Sequence, residues 1–194
     1  MVTYMESHDE ERVIYKALNY GNSNGNYNVK NLNTSLERLK SAGSILFLLP
    51  GPKMIWQFGE IGYDVSIDYN GRLGRKPIKW NYLNELNRKN IYNTWSYLIG
   101  LRKKHSIFSD PQSKIDTWLN SSIKKIQYSL GEENAILITN FDVKTLQTSV
   151  TLPSAGHWYH ATLGEKIYIE NIELDVSIPA GTFLLMTDFE IDYL

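Results

Sequence analysis

The stretch VTYMESHDEER, residues 2–12, places a short apolar run directly before a dense polar cluster. Val2–Met5 is β-branched and aromatic, which predicts a buried strand. Polar and charged side chains follow at once, as they do where the carboxyl end of a strand opens into a loop. We therefore predict a strand over residues 2–5 that presents residues 6–12 at its carboxyl end.

Further strands and helices are predicted downstream of this strand. The predicted elements are a helix over Glu11–Ala17, a helix that begins at a capping box Thr34–Glu37 and is stopped by Pro50, a second strand over Lys53–Phe58, and an amphipathic helix over Asn90–Lys104. Residues 19–31 and 64–82 are predicted to be loops. Two strand–helix units cannot cover both faces of a parallel sheet. The first part is therefore predicted to be a piece of a larger α/β sheet.

The pattern changes near Ser109-Asp110-Pro111. Beyond it, apolar and polar residues alternate in short runs, and turn sequences such as Pro153–Gly156 and Pro179–Gly181 separate the runs. Short strands at even spacing predict an antiparallel β-sandwich. We predict two domains, residues 1–109 and residues 110–194.

Length and composition exclude several classes of protein. The chain has 194 residues and a formal net charge of −1, from 20 Lys and Arg against 21 Asp and Glu. A nucleic-acid partner is not predicted, because neutralising phosphates needs a basic excess. The longest apolar run, Ile45–Leu49, is far shorter than the ~20 residues that cross a bilayer, so no membrane span is predicted. A complete (β/α)8 barrel needs roughly 200–250 residues and does not fit beside a second domain.

Four segments together resemble one known family, the α-amylases of glycoside hydrolase family 13. Tyr4–Arg12 resembles the fourth short signature of that family, in which a strand end carries a His-Asp pair. The other three segments resemble, in family order, the last barrel strand (Leu48–Glu60), the final barrel helix (Ser96–Lys104) and the last strand of the C-terminal sandwich (Ile178–Met186). The resemblance implies a C-terminal fragment: the seventh and eighth β/α units of a (β/α)8 TIM barrel, followed by an antiparallel β-sandwich.

The resemblance also implies a function and site residues. The parent would be a retaining hydrolase of α-1,4-glucosidic bonds, acting on α-glucans or maltooligosaccharides. Asp9 would be the carboxylate that stabilises the transition state, and His8 would hydrogen-bond the same sugar. The nucleophile and the acid/base, which retaining glycosidases hold roughly 5–5.5 Å apart, come from earlier strands in this family. This chain alone is therefore predicted to be inactive.

Other side chains are weaker candidates, each with a structural alternative. Arg12 would contact substrate or brace the loop. Trp80 and Tyr82 would stack on a sugar at the rim of the cleft or pack beneath a loop. Trp56 is predicted to lie in the barrel core. Arg72 would contact sugar or balance nearby acids.

Two alternative functions stay open at this stage. One is a glucan-branching enzyme or another transglycosylase of the same family. The other is a noncatalytic carbohydrate-binding or structural module, in which aromatic residues of the sandwich bind glucan: Trp118, Trp158, Tyr159 and Tyr168.

Cofactors and partners complete the expectations. No metal site is predicted, because His157 and His160 lack a carboxylate at ligand spacing. No cofactor is predicted in this fragment, and the parent would bind calcium only through absent segments. Exposed barrel strands predict self-association. The compartment is left open, with a secreted or periplasmic bacterial parent as one interpretation.

Overall fold

The computed structural model describes residues 1–194, with the three α-helices in the first part and eight of the ten strands in the second. The α-helices are α1 (Val13–Tyr20), α2 (Leu32–Leu48) and α3 (Leu86–Lys104). Short 3-10 turns cover Gly59–Ile61, Trp80–Asn84 and Ser106–Phe108. The strands are β1 (Ser23–Asn24), β2 (Tyr27–Asn28), β3 (Lys114–Trp118), β4 (Ile123–Leu130), β5 (Glu133–Asn140), β6 (Leu146–Thr151), β7 (Gly156–His160), β8 (Glu165–Ile169), β9 (Glu173–Ile178) and β10 (Phe183–Thr187).

The start of α2 differs from the predicted capping box. Asn31 is the N-cap residue, and its side-chain oxygen accepts hydrogen bonds from the backbone N–H groups of Asn33 (3.0 Å) and Thr34 (3.4 Å). Glu37 instead forms an ion pair with Lys40 at 2.7 Å. The capping box was wrong because Asn31, itself a strong cap, satisfies the free amides at an earlier position and starts the helix sooner.

The two predicted strands of the first part are much shorter than expected. Thr3 and Lys53 form a single parallel bridge, with hydrogen bonds from the Thr3 N–H to the Pro52 carbonyl and from the Met54 N–H to the Thr3 carbonyl, both 3.0 Å. Strands over the full lengths of residues 2–5 and 53–58 were wrong. Each segment has only the other as a neighbour in this chain, and an isolated pair of strands is marginally stable.

The β-sandwich is confirmed. Six antiparallel strands form one sheet in the order β3-β4-β5-β10-β7-β8, and β6 pairs with β9 in a separate two-stranded ribbon. Because side chains alternate between the faces of a sheet, Ile126 and Leu137 face the helices, whereas Ile136 and Ile138 face the ribbon. The sheet is therefore covered by helices on one side and by the ribbon on the other.

The helices and the sheet share one hydrophobic core. The largest cluster of buried apolar residues contains 20 members and joins Trp95 and Leu98 of α3 to Tyr128 of β4 and Leu185 of β10. The change from helices to strands falls between Phe108 and Lys114. The division into domains at residues 109 and 110 stays a prediction.

Candidate active-site cleft

Two buried charged residues anchor the polar loop that follows the Thr3 bridge. A carboxylate oxygen of Glu6 accepts a hydrogen bond from Arg12 Nη1 at 3.1 Å, and the other accepts from the backbone N–H of Val13 at 2.9 Å. Burial raises the pKa of Glu6, against the lowering effect of these two hydrogen bonds. Glu6 thus ties the start of the loop to the first residue of α1, and His8 and Asp9 between them are exposed.

His8 and Asp9 occupy the projecting part of the loop. Their side chains are 71% and 70% exposed, and His8 Nε2 lies 3.3 Å from Asp9 Oδ2. The ring centroids of His8 and Trp56 are 5.6 Å apart. The backbone N–H of Asp9 donates to Ser7 Oγ at 3.1 Å, which fixes the turn. An acidic group, an imidazole and an indole therefore face the same space.

This space is a cleft of about 530 Å³. One wall is formed by the loop that carries His8 and Asp9, together with Trp56 and Gln57. The opposite wall is formed by part of the segment 64–79, and its lining residues are Ser66, Ile67, Arg72, Leu73, Gly74, Arg75, Lys76 and Ile78. Asp9 is the only carboxylate among the lining residues, so the cleft offers sugar hydroxyls one strong acceptor among several donors.

The segment 64–79 is held in place by two charged side chains. Glu11 accepts hydrogen bonds from Ser66 Oγ (2.9 Å) and from the Ile67 N–H (2.8 Å). Lys76 Nζ donates to four backbone carbonyls of its own loop, those of Tyr69, Gly71, Arg72 and Gly74, at 2.8–3.3 Å. The loop is therefore folded around the ammonium group of Lys76. The sequence pattern predicts neither this role of Lys76 nor the role of Glu11 in holding the segment.

Arg72 joins the two walls. Its Nη2 donates to the backbone carbonyl of Asp9 at 2.7 Å. The sequence predicted that Arg72 would contact either a sugar or the nearby acidic side chains. In the structure its guanidinium instead contacts a main-chain oxygen. Arg72 therefore positions the loop that carries Asp9.

The weaker sequence candidates lie in different surroundings. Arg12 lines the cleft but is buried and paired with Glu6, and its guanidinium lies 4.7 Å from the Tyr63 ring centroid, so it braces the loop. Trp80 is 64% exposed and lines a shallow depression that shares Trp56 with the cleft.

Tyr82 and Trp56 lie in different surroundings. Tyr82 is 8% exposed, its hydroxyl donates to Asp64 Oδ1 at 2.6 Å, and the Arg88 guanidinium lies 3.7 Å from its ring centroid. Its ring is thus enclosed, as in the structural alternative given for Tyr82, and does not stand at the rim. Trp56 is partly exposed and lines the cleft, and its place in the core of a complete barrel stays a prediction.

The chemistry available in the cleft is that of polyol binding. A retaining glycosidase requires two carboxyl groups roughly 5–5.5 Å apart, and the lining residues supply one. A carboxylate accepts two or more hydrogen bonds, an imidazole donates or accepts, and an indole face covers apolar C–H groups.

The structure contains no group of three or more side chains that could hold a metal ion, and no helix is long and apolar enough to span a membrane.

No protein-family model and no curated protein matches the sequence. The fold, however, matches solved structures of α-amylases. The α-amylase from Geobacillus thermoleovorans complexed with acarbose aligns with 96% of this chain and 38% of its own, at a TM-score of 0.70 and 16% identity. AmyP in complex with maltose aligns with 96% of this chain and 40% of its own, at a TM-score of 0.69 and 16% identity. The pullulanase from Bacillus acidopullulyticus aligns with 96% of this chain and 24% of its own, at a TM-score of 0.64 and 18% identity.

These similarities concern the fold. At 16–18% identity they show that the chain folds like the matched part of these enzymes, and the chain spans at most two fifths of their length. The likeness to part of an α-amylase, first indicated by four sequence segments, is thereby confirmed at the level of the fold.

Proposed function

We propose that this chain is the C-terminal part of an α-amylase-type retaining glycoside hydrolase that acts on α-1,4-linked glucans and maltooligosaccharides. The observation that carries the proposal is the position of Asp9. Its carboxylate is exposed in a cleft beside His8 and Trp56, just beyond a parallel β-bridge.

The parallel bridge supports assignment of residues 1–109 to the last two β/α units of a TIM barrel. Thr3 and Lys53 pair in parallel, and α1 and α2 lie between them in sequence. Asp9 and Trp56 both follow the bridge in chain direction, so they lie toward the carboxyl end of the pair. Active sites of TIM barrels are built at that end.

The proposed roles follow from the chemistry of glycoside cleavage. The transition state resembles an oxocarbenium ion, and hydrogen bonds to the neighbouring sugar hydroxyls strengthen as charge develops. A fixed carboxylate at Asp9 would accept those hydrogen bonds, and His8 would donate to the same sugar. Arg72 and Ser7 hold the Asp9 backbone, so the carboxylate would be positioned before substrate arrives.

The substrate class is supported by the ligands of the structural neighbours. The matched structures were determined with acarbose and with maltose, respectively. The cleft of this chain combines an aromatic face with hydrogen-bonding groups, which suits a sugar ring. Because Asp9 is the only lining carboxylate, the chain alone would bind sugar without cleaving it.

The test is the activity of the whole protein encoded by the gene. The proposal expects an Asp and a Glu on preceding barrel strands, and hydrolysis of maltoheptaose by the full-length protein. Products released first should have the α-configuration at the anomeric carbon, as followed by proton NMR. The 194-residue chain, assayed in parallel, should release nothing. First products of β-configuration, or hydrolysis by the chain alone, would contradict the proposal.

The exposed apolar residues near the bridge lead to a separate prediction for the isolated chain. Val2, Tyr4 and Ile55 are 50%, 44% and 39% exposed. In a barrel these residues would be covered by further strands, and uncovered apolar surface beside bare strand edges promotes association. We expect concentration-dependent self-association in sedimentation velocity, reduced by Ile55→Lys. A monomer at all concentrations would contradict this expectation.

A further inference from the structure

A second cleft lies on the sandwich, on the face of the sheet that carries the ribbon. The ribbon has two strands and the sheet has six, so the ribbon leaves the outer strands β3 and β4 partly uncovered. The resulting cleft measures about 240 Å³ and lies between β4 and the edge of β6. Its lining residues are Trp118, Lys125, Gln127, Ile136, Ser149, Val150 and Thr151.

Trp118 provides an aromatic wall for this cleft. It lies at the end of β3, directly opposite Lys125 of β4, and remains 49% exposed. Lys125 Nζ lies 5.8 Å from its ring centroid, within the range of a cation–π contact. A half-exposed indole beside a concave surface retains an apolar face that a ligand can cover.

Polar side chains surround this indole. Lys125 Nζ donates to the Ser149 carbonyl at 3.2 Å, and Gln127 Nε2 donates to the Thr151 carbonyl at 3.2 Å. These bonds hold the ammonium and the amide across the floor of the cleft. Asp116 lies opposite Gln127 in the register of β3 and β4 and pairs with Lys114 at 2.9 Å. The cleft thus offers donors and acceptors without a strong net charge.

We propose that the Trp118 cleft is a binding subsite for a neutral pyranose ring of an α-glucan, separate from the Asp9 cleft. The apolar C–H face of a pyranose would stack on the indole, and its hydroxyls would meet Gln127 and Lys125. An anionic ligand is not favoured, because Lys125 is the only lining ammonium and Asp116 lies opposite the lining residue Gln127. The inference that the ligand is a sugar rests on the cleft itself. The more specific choice of an α-glucan rests on the proposed function.

The experiment uses the 194-residue chain and maltoheptaose, followed by NMR. The indole N–H resonance of Trp118 in the unmodified chain should shift during titration. Trp118→Ala should weaken this sandwich binding about tenfold, the size expected for a lost aromatic stacking contact. Tyr92→Ala is the matched control, because Tyr92 is an aromatic of similar exposure (47%) in α3, which packs on the opposite face of the sheet. It should bind like the unmodified chain.

The remaining outcomes separate this proposal from the proposed function. Binding that Asp9→Asn abolishes and Trp118→Ala leaves intact would overturn the sandwich subsite and support the Asp9 cleft. An unmoved Trp118 indole resonance at saturating maltoheptaose would overturn the subsite whether or not the alanine variant folds. Equal affinity for cellohexaose would overturn the α-glucan assignment. Loss of binding in Trp118→Ala alone supports the subsite even if the full-length protein is not a hydrolase.

Discussion

Under the proposed function, replacement of Asp9 by Asn in the full-length protein is expected to lower kcat for maltoheptaose by roughly 10²–10³-fold. Asparagine keeps the size of the side chain but removes the negative charge that, in the proposed role, would face the developing oxocarbenium ion. The loss of one positioned electrostatic contact in an active site has effects of this size. KM should change much less, because the carboxylate contributes most when charge develops in the transition state. Initial rates over a range of maltoheptaose concentrations separate kcat from KM.

Asp68→Asn is the matched control for this substitution. Asp68 is an exposed carboxylate in the segment 64–79, it forms no ion pair, and it does not line the cleft. The control removes the same charge from nearly the same region, so it should leave kcat within about twofold. Turnover close to normal in Asp9→Asn would reject the role assigned to Asp9. Equal losses in both variants would indicate a general effect of charge and would also reject it.

The sequence could predict what depends on local periodicity. The alternation of Ile126 and Tyr128 with Lys125 and Gln127 identifies a strand with two different faces, and the structure confirms it. The helical spacing of Trp95, Leu98 and their neighbours likewise predicts α3, which begins four residues earlier than expected. These elements follow from side-chain direction, which is fixed by backbone geometry.

The sequence could not predict features that depend on contacts between distant segments. Tyr82 is enclosed because Asp64 and Arg88 meet at its ring, and no local pattern encodes that meeting. The loop around Lys76 depends on four carbonyls that converge only after the chain has turned. The position of Asp9 on an exposed loop could be predicted from its motif, but the Arg72 contact with its carbonyl could not.

Gly43→Ala is expected to lower the free energy of unfolding by about 2 kcal/mol or more. Gly43 lies in α2 where the helix contacts α3, and an added Cβ would stand 2.1 Å from Nε1 and 2.6 Å from Cδ1 of Trp95. Trp95 is buried, donates from Nε1 to the Leu39 carbonyl at 3.3 Å, and meets the Phe47 ring edge to face. The indole cannot move aside without losing these contacts, and overpacking of this kind typically costs 1–3 kcal/mol.

Gly100→Ala supplies a control with the opposite expected sign. Gly100 lies in α3, is exposed, and has open space where a Cβ would be added. Alanine is favoured over glycine in a helix by up to about 1 kcal/mol, so this variant should be more stable than the unmodified chain. The same propensity gain is available at Gly43, and only the close approach of Trp95 reverses it. Urea unfolding followed by circular dichroism measures both variants, and a Gly43→Ala variant as stable as Gly100→Ala would show that α2 and α3 do not pack through this glycine.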